Sequence, residues 1–332
     1  MQFEKRYIRR LRYAVQFAFV LLSLQIGYSF YHFVLHFREQ GHSFVQRPSS
    51  VDAFLPISGL MSLKFFLFTG IVEPFHPAAL VIFAAVLVVS VLMKKGFCGW
   101  ICPIGTVSQL FWMAGERMFG RNFRMEKYVD GSLRSMKYIL MALFLIAIVV
   151  VMPPNLMTLF FISDYYKTAD VRTMNVFTQM SALTLCVLSV LGALSLLYKN
   201  FWCRYLCPYG ALLGLLSRLS PVKIRRDNQK CVHCRACSEN CPSLLDVEKK
   251  QEVSSPECFG CMTCVSSCPS RGALDMTVGK GRKRRAFKPY LYPLILILIF
   301  YAVMGVGMAA GKWKSQIPYD EYKRIIPEIF AK

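Results

Sequence analysis

Five long apolar runs, separated by blocks rich in lysine and arginine, leave this 332-residue chain few ways to fold. They lie near Tyr13–Phe37, Pro77–Met93, Tyr138–Met152, Ala182–Tyr198 and Tyr290–Ala310. Several are shorter than the ~20 residues that cross a bilayer upright, but apolar and aromatic flanks extend each of them. A sixth stretch, Ala53–Val72, contains Pro56, Gly59, Lys64 and Gly70 and reads as a re-entrant or interfacial segment. The chain is 55% hydrophobic and only 18% charged, against about 25% charged in ordinary soluble domains. That excludes a disordered chain and argues against an all-soluble enzyme. The first run follows a basic N-terminus, and no small-residue cleavage site comes after it. It therefore reads as an uncleaved first span and not as a signal peptide. The residues around Arg9-Arg10 do not support a twin-arginine export signal.

The net charge is +21. Nucleic acid is not the expected partner, because the positive charge sits in blocks between apolar runs. With five spans, residues 1–12, 94–137 and 199–288 share one side. They hold three times the Lys and Arg of residues 38–76, 153–176 and 311–332. The positive-inside rule puts the richer side in the cytoplasm. The expectation is a multi-pass inner-membrane protein with a cytoplasmic N-terminus and a periplasmic C-terminus. The run Lys280–Lys288 reads as a stop signal against anionic lipid.

Twelve of the 13 cysteines form four tight groups. Grouping of this kind points to metal ligation and not to a disulfide framework. Between Pro221 and Gly281 the chain reads Cys231-x2-Cys234-x2-Cys237-x3-Cys241-Pro242, then Cys258-x2-Cys261-x2-Cys264-x3-Cys268-Pro269. This is the bacterial two-cluster ferredoxin spacing, in which each triplet borrows its fourth thiolate from the other motif. Cys231, Cys234, Cys237 and Cys268 are expected to hold one [4Fe–4S] cluster, and Cys258, Cys261, Cys264 and Cys241 the second. Two four-cysteine zinc sites are the alternative. Two complete triplets with two Cys-Pro ends argue against it.

The other two groups repeat each other. Phe97-Cys98-Gly99-Trp100-Ile101-Cys102-Pro103-Ile104-Gly105 aligns with Trp202-Cys203-Arg204-Tyr205-Leu206-Cys207-Pro208-Tyr209-Gly210. Each copy follows an apolar run ending in lysine and leads into a helical pattern, so the membrane core reads as an internal duplication. A spacing of four sets both sulfurs on one helix face. Cys98, Cys102, Cys203 and Cys207 are a candidate further metal or cluster site, or thiols with redox work; alternatively the Gly and Pro residues only set a repeated turn. Cys186, alone inside a run, reads as packing.

His32 and His36 lie four apart near the outer end of the first run, and Glu73 and His76 precede the second. Ionisable groups at membrane depth are functional candidates. Together with nearby Phe, Tyr and Met they suit a quinol site that accepts protons. Interfacial anchoring of His32 and His36, or a bis-His haem, is the alternative; the absence of Cys-x2-Cys-His excludes covalent c-type haem. His233 sits in the first cysteine loop and His42 in a solvated loop. There is no Rossmann fingerprint, P-loop or serine nucleophile elbow.

Phe75-His76-Pro77-Ala78, Phe97–Gly105, Trp202–Gly210 and Cys231–Pro269 together resemble the NapH/MauN-type membrane polyferredoxins, over most of the chain from Ser58 to Gly281. The resemblance implies a quinol dehydrogenase component that feeds electrons to a periplasmic reductase. Two related types carry more: the nitrous-oxide reductase maturation type (NosR) a flavin domain, the cytochrome-oxidase assembly type (CcoG) a C-terminal periplasmic domain. The chain has no room for either, so the minimal type is expected.

The expected fold is an all-α membrane protein of about five transmembrane helices plus a small α+β ferredoxin-like insert. Residues 1–220 form the membrane domain, 221–281 the cytoplasmic insert, 282–311 the last span, and 312–332 a tail read as frayed, with an amphipathic docking segment as the alternative. The expected function is electron transfer between quinone and a redox partner, such as a cytochrome or an iron–sulfur protein. Two rivals are a maturation factor that reduces a metal or thiol for another enzyme, and a redox sensor.

Overall fold

The structure is a computed structural model describing residues 2–39, 42–279, 285–286 and 288–331, with side chains from residue 7 onward. Most of the basic run Lys280–Lys288 lies outside the described residues. The chain is mainly helical, with one small antiparallel sheet. Among the described residues, three helices are long and apolar enough to cross a membrane: Tyr7–Arg38, Lys127–Val151 and Leu291–Ala309. Ala169–Thr178 and Ala182–Leu197 reach that length only as a pair bent by 78°. Pro56–Thr69 and Pro77–Leu92 are shorter. At 1.5 Å per residue neither matches the ~30 Å hydrocarbon core upright. The helices make this a membrane protein. Two of them run well beyond the apolar runs that announce them, because Arg9–Arg12 and Lys127–Lys137 continue the same helices.

The chain divides into two compact units. The first comprises Met1–Val20, Val86–Met141 and Val190–Phe300. It contains the sheet, formed by β1 (Val222–Arg226), β2 (Glu252–Val253), β3 (Leu274–Val278) and β4 (Arg285–Ala286) in the order β2-β1-β3-β4. Ile224 pairs with Met276 and Val222 with Val278. Alternation sends Val222, Ile224, Leu274 and Met276 to the buried face. Each cysteine triplet lies on a loop opening a one-turn helix, Ala236–Glu239 or Thr263–Ser266. The two loops share an unusual backbone. The residues two and four after the first cysteine have positive φ in both: His233 and Arg235 at 53° and 60°, Gly260 and Met262 at 61° and 57°. Three of these four are not glycine. Left-handed backbone there is costly and marks a loop held for a purpose.

The second unit comprises Leu21–Ala85, Ala142–Ser189 and Tyr301–Lys332. The tail is not frayed. Tyr319–Phe330 is a helix with Tyr322, Ile325 and Ile326 buried. Tyr322 and Ile326 join Phe30, Phe33, Phe37 and Val171 in one apolar cluster. Lys167 and Arg324 pair with Glu321 and Asp164. The amphipathic spacing of Tyr322, Ile325, Ile326 and Ile329 overrode the polar look of the segment. Pro56–Thr69 ends at Gly70, whose φ of 71° closes the helix. Its buried Lys64 donates to the carbonyls of Ile148 (3.0 Å) and Met152. These lie in and just after the π-helix Ile146–Val151, which continues the helix Lys127–Leu145. Cys186 is exposed and not packed as expected. On its helix only Ser195 is buried, as befits a helix showing its apolar sides outward.

Candidate metal centres

All 13 cysteines are free of disulfides. Cys231, Cys234, Cys237 and Cys268 line one small cavity, together with Arg226 and Glu248. Cys234 is exposed, so this quartet sits at the surface of its unit. A hydrogen bond from Arg226, then the backbone N–H of His233, lowers the Cys231 pKa. The His233 ring faces outward to Glu248 at 2.8 Å.

The second quartet is deeper. Cys241, Cys258 and Cys264 are buried. Burial pushes Cys264 well up, followed by the nearby sulfurs of Cys261, Cys241, Cys258 and Cys237. Burial, then Cys261, raises Cys241 to about 12. Thiols crowded in this way stay protonated until a metal core supplies positive charge and displaces the protons. Both donor sets are all-sulfur, as iron–sulfur clusters require, and both fit such a group.

The repeated motifs bring four further cysteines near one another. Cys98 lies in the short helix Gly96–Trp100, and Cys203 in the π-helix Trp202–Leu206. Cys102 and Cys207 do not share those turns, so the single-face reading fails. Each precedes a proline and has extended backbone, with ψ of 119° and 105°, because proline excludes helical geometry from the residue before it. Each instead sits at the N-terminus of the next helix, Pro103–Phe119 or Pro208–Leu216. Gly210 N–H donates to Cys207 Sγ at 3.2 Å. Helix N-termini favour thiolate. Against them, burial raises Cys102 to about 11, with Cys207 adding to it and the Gly105 and Ile104 N–H groups opposing. Burial also lifts Cys203, followed by Cys207, Cys102 and Cys98. The four sulfurs therefore feel one another as a group. The donor set is again all-sulfur, and a small cavity lies beside Cys98 and Cys203.

Pro242 and Phe259 line that same cavity. Each directly follows a cysteine of the buried ferredoxin quartet, Cys241 and Cys258. The insert is thus bolted on through its second quartet. Trp100 Nε1 donates to Gly260 O (3.2 Å), Asn200 to Pro242 O (3.1 Å), Arg204 to Ser243 O (2.6 Å) and Lys94 to Val253 O (2.6 Å). Arg12 adds a clamp from the first helix, donating to Gly99 O (3.1 Å), Thr263 Oγ1 (2.9 Å) and Gln109. In the sequence Arg12 is one more basic topology residue, and only its spacing from Gln16 on one helix face hints at a buried role.

In the second unit, Glu73 and His76 come together. Glu73 Oε1 accepts the His76 N–H (2.9 Å) and the Tyr166 hydroxyl (3.1 Å), while Ser58 meets Tyr166 at 2.6 Å. Burial raises the Glu73 pKa despite these donors. His76 Nδ1 lies 3.0 Å from Asp52. Burial opposes its imidazolium, yet the Asp52 carboxylate wins and the His76 pKa is raised. Asp52, His76 and Asp170 have the grouping of a metal triad. Arg47 already fills it, reaching Asp170 and His76 at 2.8 and 3.1 Å, and Asp52 as well. His32 and His36 are engaged elsewhere. His32 packs edge-on against Tyr28 and Tyr31, and His36 contacts Tyr319 Oη (2.8 Å) and His42 O (2.6 Å).

These features define an iron–sulfur electron-transfer protein of the membrane. The family model for a 4Fe-4S binding domain matches residues 75–125 and 180–227, and that for a 4Fe-4S dicluster domain matches 223–269. The chain belongs to the family of NapH/MauN-type membrane polyferredoxins. It is 40% identical to the putative electron transport protein YccM of Escherichia coli over 96% of this chain and 90% of that protein. It is 23% identical to the ferredoxin-type protein NapH of Escherichia coli, over 55% of this chain and 63% of that one. Against the methylamine utilization ferredoxin-type protein MauN of Methylorubrum extorquens the identity is 27%, over 58% and 63%. No solved structure matches.

Proposed function

We propose that the protein exchanges electrons between membrane quinone and a redox partner through an iron–sulfur wire. Cys231, Cys234, Cys237 and Cys268 hold one [4Fe–4S] cluster, Cys258, Cys261, Cys264 and Cys241 another. Cys98, Cys102, Cys203 and Cys207 jointly hold a third centre, shared between the two copies of the repeat. The observation that carries the reading is the cavity bordered at once by Cys98, Cys203, Pro242 and Phe259. It makes the buried ferredoxin quartet the neighbour of the duplicated motifs. The exposed quartet is then the port for a partner, a cytochrome or another iron–sulfur protein. Two ferredoxin-type relatives, NapH and MauN, carry names that agree with such a role.

The residues nearest the chemistry of quinol are Glu73 and His76. A groove of about 380 Å³, lined among others by Met61, Phe160, Ser58 and Tyr166, supports this. Its hydroxyl pair leads to the Glu73 carboxylate. A quinol losing electrons also loses protons, and a buried carboxylate with a raised pKa is suited to take one. His32 and His36 contribute anchoring instead; four apart on one helix, they cannot ligate a haem from opposite faces. We keep five spans, with the insert and N-terminus cytoplasmic and the C-terminus periplasmic. The test is anaerobic purification of the full chain, then addition of a reduced menaquinol analogue. Bleaching of the cluster absorbance is expected. Clusters that dithionite reduces and quinol does not would refute the quinone reading.

A further inference from the structure

Three lysines are buried beside the duplicated motifs and the insert: Lys94, Lys95 and Lys137. Two are satisfied. Lys94 Nζ donates to Val253 O at 2.6 Å, and Lys137 Nζ to both oxygens of Glu257 at 2.6 Å. Lys95 is only 1% exposed, yet its ammonium has no hydrogen-bond partner. It rests over the Phe259 ring, 5.1 Å from the centroid. A β-carbon on Gly210 would come 3.4 Å from Lys95 Nζ and 3.5 Å from Cys207 Sγ, so glycine keeps ammonium and sulfur in the same small space. Its charge reaches Cys98, Cys102 and Cys203 as well. It also reaches Glu257, but that carboxylate is already taken by Lys137. Lys95 is therefore the one of the three whose ammonium has no hydrogen-bond partner, and what faces it is sulfur. Burying an ammonium without a hydrogen-bond partner is costly, and such charges persist where an opposite charge lies against them.

We propose that Lys95 is the built-in countercharge of the four-thiol site, holding an anionic iron–sulfur cluster there and raising its reduction potential. This rests on the reading that Cys98, Cys102, Cys203 and Cys207 bind a cluster. Four thiolates outweigh the positive charge of an iron–sulfur core, so the loaded site is negative. A pair of disulfides would be neutral and would leave the ammonium stranded, which speaks against thiol exchange as the work of this site. Reduction adds one electron, breaks no bond and makes the site more negative. A nearby fixed cation stabilises that form, and net charge around a cluster is among the determinants of its potential. Of the two repeats, only the first carries a lysine at this position. The position equivalent to Lys95 in the second repeat is Asn200, which donates to Pro242 O at 3.1 Å instead. The site thus draws the electron from the buried ferredoxin cluster toward the duplicated motifs.

The experiment compares wild type, Lys95→Met and Lys95→Arg as full chains purified without oxygen, reading iron content and EPR-monitored redox titration. Wild type is expected to bind about twelve irons per chain. In Lys95→Met one centre falls in potential by at least tenfold in its electron-sharing equilibrium, about 59 mV for one electron, while the ferredoxin centres hold. Lys95→Arg keeps the wild-type value. Loss of about four irons in Lys95→Met but not in Lys95→Arg supports the countercharge equally. Wild-type iron with every midpoint unmoved in Lys95→Met overturns the proposal. About eight irons in wild type, unchanged by Cys98→Ser with Cys203→Ser, overturns the third cluster beneath it and is read separately.

Discussion

The sulfur sites of the first unit and the buried ionic network of the second are both polar interiors, but they are closed differently. Around Asp52, His76 and Asp170 the protein supplies its own cation. Arg47 takes the place a metal would hold and touches all three. Beside Cys98, Cys102, Cys203 and Cys207 the nearest lysine, Lys95, makes no hydrogen bond and no ion pair of that kind. A grouping of ligand atoms is therefore weak evidence of a site. What decides is whether the fold has already neutralised it.

The largest break in the comparison comes on the sulfur side. Replacing Cys264 with Ala removes the buried ferredoxin cluster, and iron content falls by about four per chain. Electron passage from quinol to the exposed cluster stops. On the ionic side, Asp52→Asn takes the carboxylate from His76 and leaves Arg47 with Asp170 alone. Breaking a buried pair costs about 3–5 kcal/mol, seen as a lower Tm of the detergent-solubilised protein with iron content unchanged. Glu73→Gln removes a proton acceptor. It slows reduction by the menaquinol analogue about 100-fold, while reduction by dithionite keeps its rate.

A smaller effect sharpens the ionic side further. The folded pKa of His76 is raised by Asp52 above its unfolded value of about 6.5. Its stabilisation is complete below that unfolded value and is lost as pH climbs through the folded one. Tm should fall over this window in wild type and stay flat in His76→Gln. The smallest change is Trp100→Phe, which loses the hydrogen bond to Gly260 O. It costs about 1 kcal/mol, read as a modest fall in Tm with the quinol response kept.

The ferredoxin quartets were legible because their chemistry is local. Three cysteines within seven residues need no tertiary information, and the crossed fourth ligand follows from the spacing. The gathering of the duplicated motifs was half legible. Repetition announced Cys98 and Cys203 as a pair, but the proline that breaks each turn moved Cys102 and Cys207 onto the next helix. Lys95, Arg12 and Phe259 were hidden, since a basic residue near a span reads first as a topology signal and burial cannot be seen in a string. The ionic network was less legible still. Arg47, Asp52, Glu73, His76, Tyr166 and Asp170 are scattered over 124 residues, and only Glu73 with His76 stood close enough to notice. The tail was misread because its apolar spacing is short and interrupted by charge.

The central claim is that the cysteine quartets of the insert carry iron–sulfur clusters. The most direct measurement is iron, zinc and acid-labile sulfide quantitation on the full chain isolated without oxygen, with EPR of the dithionite-reduced sample. The account predicts at least about eight irons, matching sulfide and a signal of two interacting reduced clusters. Zinc in place of iron, or colourless protein without sulfide, would contradict it.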